Sequence, residues 1–446
     1  MDYVVIILCK IVSYIAGIFG GGTSLPGKLA LKMRPKLLKT LLKNMNIVLV
    51  TGTNGKTTTC AELVSILKET GSCVINNTSG ANMKDGITSC LIRQMSLIPS
   101  KKKTFAVLEA DEAYLRFITE DITPDVIAVT NIFRDQLDRY GEVDTTLKLI
   151  TEGCKNAPDA TLVLNGDEPL LCDFMPESKK YYFGFRVNPN LVLEEEINAE
   201  GRFCKDCKNP LQYRFTTFNH LGHYACPSCG KQRPQLSLGV NKVPVFTADG
   251  SEVSFDDLEI KIPLPGAYNV YNALCAATVA GALGVCPEDI KNGIENQGSR
   301  FGRQETIMID GREVRLILVK NPAGFNEAIN SVLPDDGKVN LGFLLNDRYA
   351  DGTDVSWIYD VHFENLIKMQ YEKILVGGIR QYDMAIRLKY AGFDTGRFHV
   401  CDDFDGLLYT VRTNITGRLY LFATYTAMTS FRRFLHKKKY IKNVWK

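Results

Sequence analysis

The sequence VLVTGTNGKTTTC, residues 48–60, decides the fold of this 446-residue chain. A β-branched apolar run leads into a short loop, and a helical pattern follows it. Gly52 and Gly55 permit the tight turn that points backbone N–H groups at a phosphate. Lys56 supplies a positive charge for the outer phosphates, and the Thr57 hydroxyl can bind Mg²⁺. The pattern predicts a nucleotide-binding loop made of Gly52, Thr53, Asn54, Gly55, Lys56, Thr57 and Thr58.

This loop is shorter than the general phosphate-loop pattern G-x-x-x-x-G-K-[ST], whose first glycine would fall at Val50. The alternative is a glycine-rich turn that carries an incidental lysine. The order of strand, loop and helix favours the nucleotide site, because phosphate binding requires that order.

Length and composition indicate a folded protein of about three domains. Hydrophobic residues make up 45% of the chain and charged residues 23%, as in ordinary globular proteins. The net charge of +3 argues against bulk binding of nucleic acid. Thirteen cysteines without a secretory signal pattern indicate a reducing, cytoplasmic environment.

Residues 1–45 are predicted to form an N-terminal amphipathic segment. Residues 4–19 are apolar except for Lys10, Ser13, Tyr14 and Gly17, which share one helical face. The stretch is shorter than the roughly 20 apolar residues of a spanning helix, and no cleavage site follows it. An amphipathic helix fits better, packed on the protein, on a partner or on the inner face of the membrane. Packing on the protein is the commonest of these arrangements.

From residue 46 onward, strand and helix patterns alternate, which predicts a parallel α/β sheet with helices on both faces. The central domain is expected over residues 46–304. Ligands of such sheets bind at the carboxyl ends of the strands. The predicted strands are Ile47–Val50, Cys73–Ile75, Phe105–Leu108, Val126–Val129 and Thr161–Leu164.

Two departures from this alternation define further parts of the chain. Residues 195–245 are polar, contain cysteines and lack a long periodicity, so they are predicted to be an insert; a clear helix then begins at Val270. Residues 305–446 form a second alternating series, a smaller Rossmann-like α/β domain. Its predicted strands are Val314–Val319, Val339–Leu345, Lys373–Val376, Phe398–Val400 and Leu419–Phe422.

The insert carries two CxxC knuckles with eighteen residues between them. This spacing lets two turns present four thiolates to Zn²⁺ in a tetrahedron, with no open position for catalysis. An iron site or two redox dithiols are the alternatives. His220 and His223 lie between the knuckles and are predicted to be non-ligands. The predicted structural zinc ligands are Cys204, Cys207, Cys226 and Cys229.

Glu109 follows a predicted strand and is the candidate second ligand of Mg²⁺, beside Thr57. Asp111 and Glu112 are its rivals. A helix N-terminal acid, stabilised by the helix dipole, is the alternative role, and it suits Asp111 and Glu112 better than Glu109.

Two polar segments also follow predicted strands. The loop Thr130–Gly141, with Asn131, Asp135, Gln136 and Asp138, fits substrate or metal binding as well as a capped turn. Asp354 has two candidate roles. It can be the N-cap of a helix that begins at Val355, or it can orient a histidine as the third member of a catalytic triad. On residues alone the N-cap is the commoner role.

Together these motifs resemble the Mur ligases and the folylpolyglutamate synthases, over nearly the whole chain after residue 20. The four-cysteine insert, KNPAGFNEA at residues 320–328 and DGTDVSW at residues 351–357 narrow the resemblance to the MurT branch of the Mur ligase family. The other motifs that carry it are the phosphate loop, Glu109, Thr130–Gly141, Gly266 with Asn269 and Asn272, and Gly302-Arg303-x-Glu305.

The resemblance implies a ligase of peptidoglycan and cell-wall synthesis. ATP would phosphorylate the α-carboxylate of D-glutamate in the stem peptide of lipid II, and ammonia would convert the acyl phosphate to D-isoglutamine. A glutaminase partner, GatD, would supply the ammonia, and Asp354 would complete its triad. Asn269 and Arg303 match nucleotide-contacting positions. Gln136 stands where Mur ligases typically carry a metal-binding histidine, which leaves a second Mg²⁺ site open.

Two other functions remain as alternatives. One is an amino-acid-adding ligase of the Mur or folylpolyglutamate type. The roughly forty-five residues before the central domain are too few for the sugar-nucleotide domain of such enzymes. Their shortness suits a lipid-linked substrate at the membrane surface better than a free UDP-sugar substrate. The other is a non-catalytic, nucleotide-gated binding protein, against which the near-neutral charge weighs; no nucleic-acid partner is expected.

Overall fold

The computed structural model describes residues 2–18, 24–77, 81–95, 102–133, 143–189, 199–297 and 305–442. The chain forms two compact units. The first unit comprises Met1–Val245, Glu252–Ile262 and Tyr268–Gln297. The second comprises Phe246–Ser251, Pro263–Ala267 and Gly298–Lys446. Among the described helices, none is both long and apolar enough to cross a membrane.

The helices and strands before residue 298 alternate as predicted over the first part of the chain. The helices are α1 (Asp2–Ile18), α2 (Leu25–Met33), α3 (Leu37–Leu41), α4 (Lys56–Glu69), α5 (Lys84–Gln94), α6 (Leu115–Thr119), α7 (Val143–Lys155), α8 (Ala199–Arg202), α9 (Ala267–Ala282) and α10 (Pro287–Glu295). The strands are β1 (Asn46–Thr51), β2 (Cys73–Asn76), β3 (Thr104–Glu109), β4 (Val126–Val129), β5 (Thr161–Asn165), β6 (Lys180–Phe185), β7 (Gln212–Phe218), β8 (Leu221–Ala225), β9 (Leu238–Val240), β10 (Val245–Phe246), β11 (Ser251–Phe255) and β12 (Leu258–Ile262).

Strand β1 is an interior strand of the larger sheet, third from one edge, within the run β9-β6-β5-β4-β1-β3-β2. It is parallel to both neighbours, with Leu49 opposite Leu108 of β3 and Ile127 of β4. Val48, Leu49 and Val50 are fully buried, as a strand covered on both faces requires. The predicted parallel α/β sheet is confirmed. The carboxyl ends of β1, β3, β4 and β5 therefore meet at one edge of the sheet.

The four-cysteine segment folds around a separate hairpin. Strands β7 and β8 pair antiparallel, with Gln212 opposite Ala225 at one end and Phe218 opposite Leu221 at the other. Asn219 at the turn has a φ of +52°, which tight turns of this kind need. The cysteine knuckles lie at the open end of the hairpin, and the turn forms its tip.

The second unit is a smaller α/β sheet in the order β13-β14-β18-β15-β16-β17. Only the β13–β14 pair is antiparallel among its described pairs. Phe325, Phe343, Phe363 and Phe422 pack together in its core. Its strands are β13 (Glu305–Ile309), β14 (Arg312–Leu318), β15 (Val339–Leu344), β16 (Tyr371–Gly377), β17 (Phe398–Cys401) and β18 (Arg418–Ala423). Its helices are α11 (Pro322–Val332), α12 (Gln381–Tyr390), α13 (Phe404–Asn414) and α14 (Tyr425–Lys437).

Two predicted helix starts are wrong. Helix α9 begins at Ala267, three residues before Val270. Gly266 precedes it with a φ of +93°, a left-handed conformation that suits glycine and lets the chain turn into the helix. The helix expected from Val355 is instead a short 3₁₀ helix, Ser356–Asp360.

Helix α1 packs on the protein, as the commonest of the three arrangements would have it, with some of its apolar residues buried and others exposed. Val5, Ile6 and Cys9 are buried in the core of the first unit. Lys10 faces the protein and donates its ammonium to the Met95 carbonyl at 2.6 Å. Lys10, one of the four polar positions of this helix, therefore lies against the protein, and the side chains of Tyr14 and Gly17 lie outside the described residues. The outward residues are apolar: Val4, Ile7, Leu8 and Ile11 are 68%, 46%, 43% and 52% exposed.

Candidate active site

The phosphate-loop sequence forms the turn between β1 and α4. Gly52 and Gly55 have φ values of +117° and +87°, which L residues rarely adopt. A Cβ on Gly55 would stand 2.0 Å from Oδ1 of Asn272, so the close approach of helix α9 also requires glycine. Helix α4 begins at Lys56, immediately after the turn. The N-terminus of this helix therefore faces the same space as the loop, as anion binding needs.

Lys56 is buried at the first position of α4. Its ammonium contacts the carbonyls of Gly52 and Thr53 and lies 3.0 Å from Oε1 of Glu112. Burial alone would lower the pKa of Lys56, but the negative charge of Glu112, followed by those of Glu109 and Asp111, outweighs it and raises the pKa above 10.5. The lysine is thus held as a cation beside the loop.

Glu109 and Thr57 meet directly. The Thr57 hydroxyl donates to Oε2 of Glu109 at 2.7 Å. Asn77 fixes the backbone of Glu109 by a pair of hydrogen bonds, each 2.8 Å long, to its N–H and its carbonyl. A hydroxyl and a carboxylate at contact distance fit two ligands of one Mg²⁺ ion. The rivals are engaged elsewhere, because Glu112 pairs with Lys56 and Asp111 accepts from the Ala113 N–H.

The described part of the predicted loop Thr130–Gly141 packs on the phosphate loop. Asn131 Oδ1 accepts from the Asn54 N–H at 2.9 Å, and its amide donates to the Asn54 carbonyl at 3.1 Å. The Thr130 hydroxyl donates to the same carbonyl at 2.7 Å. These bonds hold the conformation of the loop. Asp135, Gln136 and Asp138 lie outside the described residues.

The other predicted nucleotide contacts begin with helix α9. Asn269 and Asn272 are both buried, and the Asn272 amide donates to Oδ1 of Asn269 at 3.2 Å. Through Gly55, this pair lies against the phosphate loop. Gly302 and Arg303 lie outside the described residues.

The two cysteine knuckles share one backbone pattern. The Cys204 carbonyl accepts from Lys208 N–H and the Cys226 carbonyl from Gly230 N–H, each at 3.0 Å. Both donors have a positive φ, +61° and +75°. The sulfur atoms of Cys204, Cys207, Cys226 and Cys229 all lie within 4.8 Å of one another. Two pairs are 3.7 and 3.4 Å apart, close to the ~3.8 Å that tetrahedral Zn–S bonds of about 2.3 Å give. The four-cysteine cluster expected from the sequence is confirmed, and its donor set fits Zn²⁺.

Residues that the sequence interpretation missed form a buried polar cluster after β5. His220 Nε2 lies 2.9 Å from Oε2 of Glu168, and both side chains are fully buried. Asp167 accepts from Arg233 at 2.9 Å and from the Tyr271 hydroxyl at 2.7 Å. Burial raises the pKa of Asp167, and the charge of Arg233 offsets part of this rise. The signal in the sequence that could have revealed this cluster is the pair of acids Asp167 and Glu168, which follow the buried parallel strand β5 after one glycine.

Asp354 lies in the second unit on an exposed turn. Its Oδ1 accepts from the Ser356 N–H at 2.8 Å and its Oδ2 from the Ser356 hydroxyl at 2.9 Å. These two bonds lower the pKa of Asp354 below 3.8. The side chain therefore stabilises the start of the 3₁₀ helix, but the N-cap is Val355, so the predicted N-cap position is wrong by one residue. The carboxylate is ionised and open to solvent.

The fold is that of Mur-type ligases. A solved pseudomurein peptide ligase type C from Methanothermus fervidus covers 90% of this chain and 80% of its own, with a TM-score of 0.69 and 21% identity. The structure of E. coli FolC in complex with DHPP and ADP covers 91% and 94%, with a TM-score of 0.58 and 16% identity. The Mur ligase middle domain model matches residues 50–207, and the MurT ligase C-terminal model matches residues 318–428.

Two curated relatives place this chain more narrowly among the Mur-type ligases. Both are named lipid II isoglutaminyl synthase (glutamine-hydrolyzing) subunit MurT. The Streptococcus pneumoniae protein is 40% identical over 95% of this chain and 94% of its own length. The Staphylococcus aureus (strain COL) protein is 37% identical over 83% of each chain. This chain belongs to the MurT family.

Proposed function

We propose that this protein is the ligase subunit of a lipid II isoglutaminyl synthase, which amidates the stem-peptide D-glutamate of lipid II at the expense of ATP. The observation that carries the proposal is 40% identity, over nearly the full length of both chains, to a protein with that name. The arrangement of Lys56, Thr57 and Glu109 around the phosphate loop supports it, because each residue has a task in phosphoryl transfer.

The reaction has two steps. An oxygen of the α-carboxylate attacks the γ-phosphorus of ATP, the bond to the β-phosphate oxygen breaks, and ADP leaves an acyl phosphate. Ammonia then attacks the acyl carbon, phosphate leaves, and the nitrogen loses a proton to give the amide. Lys56 and the loop N–H groups stabilise charge on the transferred phosphoryl group. Mg²⁺, held by Thr57 and Glu109, would neutralise charge on the β- and γ-phosphates.

Three further assignments belong to the same proposal. Asn269 and Arg303 contact the nucleotide. A structural Zn²⁺ occupies the four-cysteine cluster, whose closed donor set leaves it no catalytic position. The proposed ATP-binding domain comprises residues 46–304 and contains the insert at residues 195–245. The proposed C-terminal domain comprises residues 305–446.

The second subunit is proposed to be a glutaminase, GatD. The names of both relatives contain the words glutamine-hydrolyzing and subunit, which fit an ammonia source on a separate chain. Asp354 is proposed to orient the partner's catalytic histidine. Its exposure and its lowered pKa support this role, because a triad acid must be ionised and within reach of the imidazole.

We also propose that α1 rests on the membrane surface where lipid II resides. Val4, Ile7, Leu8 and Ile11 form one exposed apolar stripe at spacings of three and four residues. Exposed Leu25 and Met33 of α2 add apolar area beside exposed lysines at positions 28, 32, 36, 39 and 43. An apolar stripe with neighbouring cations is suited to the surface of an anionic bilayer.

Vesicle sedimentation tests the membrane proposal. Wild-type protein should sediment with phosphatidylglycerol vesicles and much less with phosphatidylcholine vesicles. The double variant Ile7→Gln and Leu8→Gln should lose this binding, whereas Phe117→Gln, a change at an exposed apolar residue of helix α6, should keep it. Equal sedimentation of wild type and double variant would refute the membrane role.

Mass spectrometry of lipid II, incubated with the protein, ATP, Mg²⁺ and ammonium, tests the reaction. Amidation with ADP release is expected. With GatD and glutamine in place of ammonium, Asp354→Asn should lose most activity, while its ammonium-dependent reaction is unchanged. Asp360→Asn, a change of an exposed acid on the same short helix, is the control. ADP release that depends on an amino acid would instead establish an amino-acid-adding ligase, and nucleotide binding without turnover a binding protein.

A further inference from the structure

The hairpin of the insert connects the cysteine cluster to the nucleotide site. Cys226 follows directly after β8, at the end where Gln212 pairs with Ala225. The tip, where Phe218 pairs with Leu221, lies roughly 20 Å away along β7 at about 3.3 Å per residue. A fixed cysteine cluster at one end therefore sets the position of the tip at the other.

His220 at the tip makes the first contact. Its Nε2 lies 2.9 and 3.0 Å from the two carboxylate oxygens of Glu168. A carboxylate accepts hydrogen bonds, so Nε2 is the donor. Glu168 in turn accepts from the Ile132 N–H at 3.2 Å, and Ile132 follows the Asn131 that bonds to the phosphate loop. The tip thus supports the segment on which the loop rests.

The imidazole of His220 makes the second contact. Its ring lies 4.8 Å from the ring of Phe133, centroid to centroid. The Phe133 N–H donates to the Thr53 hydroxyl at 3.0 Å, and that hydroxyl donates to the Phe133 carbonyl at 3.1 Å. Thr53 is part of the phosphate loop. Two separate routes therefore lead from His220 to this loop.

Thr217 makes the third contact, one residue before the end of β7. Its hydroxyl lies 2.5 Å from the hydroxyl of Tyr271, which donates to buried Asp167 at 2.7 Å. Tyr271 belongs to α9, between Asn269 and Asn272. The Gly222 N–H at the tip also donates to the Asp167 carbonyl at 3.0 Å. The hairpin therefore braces the helix that lies against Gly55.

We propose that the four-cysteine insert is a positioning element for nucleotide binding, and that His220 and Thr217 are its positioning residues. They touch neither phosphates nor Mg²⁺ but fix Asn131, Thr53 and α9 against the phosphate loop. Metal binding at the knuckles then sets nucleotide affinity through the hairpin. This inference rests on the proposed nucleotide site.

Calorimetric titration of the full-length, zinc-loaded protein with ADP and Mg²⁺ tests the proposal. His220→Leu removes the donor at similar volume and should raise the Kd about tenfold, which corresponds to about 1.4 kcal/mol. His220→Gln, whose amide can reach the place of Nε2, should restore most of the affinity. His223→Leu, on the same hairpin but with its ring against Phe215, should bind like wild type. Every variant is assayed for zinc content and thermal midpoint.

Thr217→Val provides an independent test, because it removes only the hydroxyl at nearly unchanged volume, and it should also raise the Kd. This variant decides the question if His220→Leu does not fold. Removing zinc from the wild type with a chelator should raise the Kd in the same way, and adding Zn²⁺ alone should reverse it. An insert that only adds stability would lower thermal midpoints and leave the Kd unchanged. Unchanged Kd values in His220→Leu and Thr217→Val would overturn the inference. A loss of binding in Lys56→Ala would show that the nucleotide site itself is correctly assigned. Failure of the wild type to bind would overturn both.

Discussion

The pair between Lys56 and Glu112 gives the sharpest prediction about the phosphate loop. Glu112→Gln removes one negative charge and keeps the shape of the side chain. At 3.0 Å the Coulomb energy is about 5.5 kcal/mol for an effective dielectric constant of about 20. The glutamine oxygen retains a hydrogen bond, and Glu109 and Asp111 retain part of the favourable charge. We therefore expect a loss of about 2–4 kcal/mol in unfolding free energy, below the full cost of a broken buried pair.

Urea unfolding measures this loss. The transition of the first unit is the one that shifts to a higher urea concentration when ADP and Mg²⁺ are added. Phosphate groups give Lys56 a replacement partner, so the deficit of Glu112→Gln should shrink when the nucleotide is present. Glu120→Gln, an exposed acid at the end of α6, is the matched control and should change the free energy by less than about 0.5 kcal/mol. A variant as stable as wild type without nucleotide would refute the reasoning.

The pH dependence provides a second check on the same pair. The pKa of Lys56 is raised above 10.5, so its contribution to stability is fully present below pH 10.5 and is lost only as pH rises through the higher, folded-state pKa. The difference between wild type and Glu112→Gln should therefore be constant between about pH 6 and pH 9. A difference that disappears by pH 9 would mean that Lys56 is neutral in the folded protein.

Three further predictions concern separate parts of the chain. Gly55→Ala should abolish nucleotide binding in a calorimetric titration, because its Cβ would collide with Asn272, whereas Gly71→Ala, with a positive φ but open space, should bind normally. Cys207→Ser should lower the zinc content measured by metal analysis, and a chelator should then no longer change the thermal midpoint. Burial would raise the pKa of Asp335, but hydrogen bonds and a neighbouring guanidinium outweigh burial and hold this pKa below 3.8. Asp335→Asn should therefore lower the free energy of unfolding by about 1–2 kcal/mol at pH 7, measured by urea unfolding. That difference should vanish as pH falls through the folded-state pKa, and a constant difference down to pH 2 would contradict it.

Much of the fold follows from the sequence because buried parallel strands are nearly continuous apolar runs. Strand β4 was predicted at its observed limits, and β1 extends one residue further at each end. Clusters of residues that lie close together in sequence could also be predicted, and the four cysteines of the insert do meet in the structure. Periodicity and spacing report local geometry, so they succeed where the structure is local.

The buried cluster after β5 could not be found in this way. Glu168 and His220 are 52 residues apart, and Asp167 and Tyr271 are 104 apart. No period connects such positions, and the pairing appears only when the hairpin folds back on the sheet. The inward position of Lys10 in α1 could not be predicted from the sequence for a related reason. Lys10 donates to the carbonyls of Arg93 and Met95 at the end of α5, so a distant helix terminus turns a charged residue inward.

The hydrogen bonds between Asp354 and Ser356 are compatible with the proposed role of Asp354 in a triad. A carboxylate has about four lone-pair positions, and Asp354 uses one on each oxygen for Ser356. Each oxygen keeps a second position, and the side chain is exposed. Holding the start of the 3₁₀ helix limits the motion of the carboxylate, which is what an acid that orients an imidazole requires. Ser356→Ala should therefore weaken the glutamine-dependent reaction more than the ammonium-dependent one. Equal effects on both reactions would mean that the bonds between Asp354 and Ser356 do not serve the proposed triad.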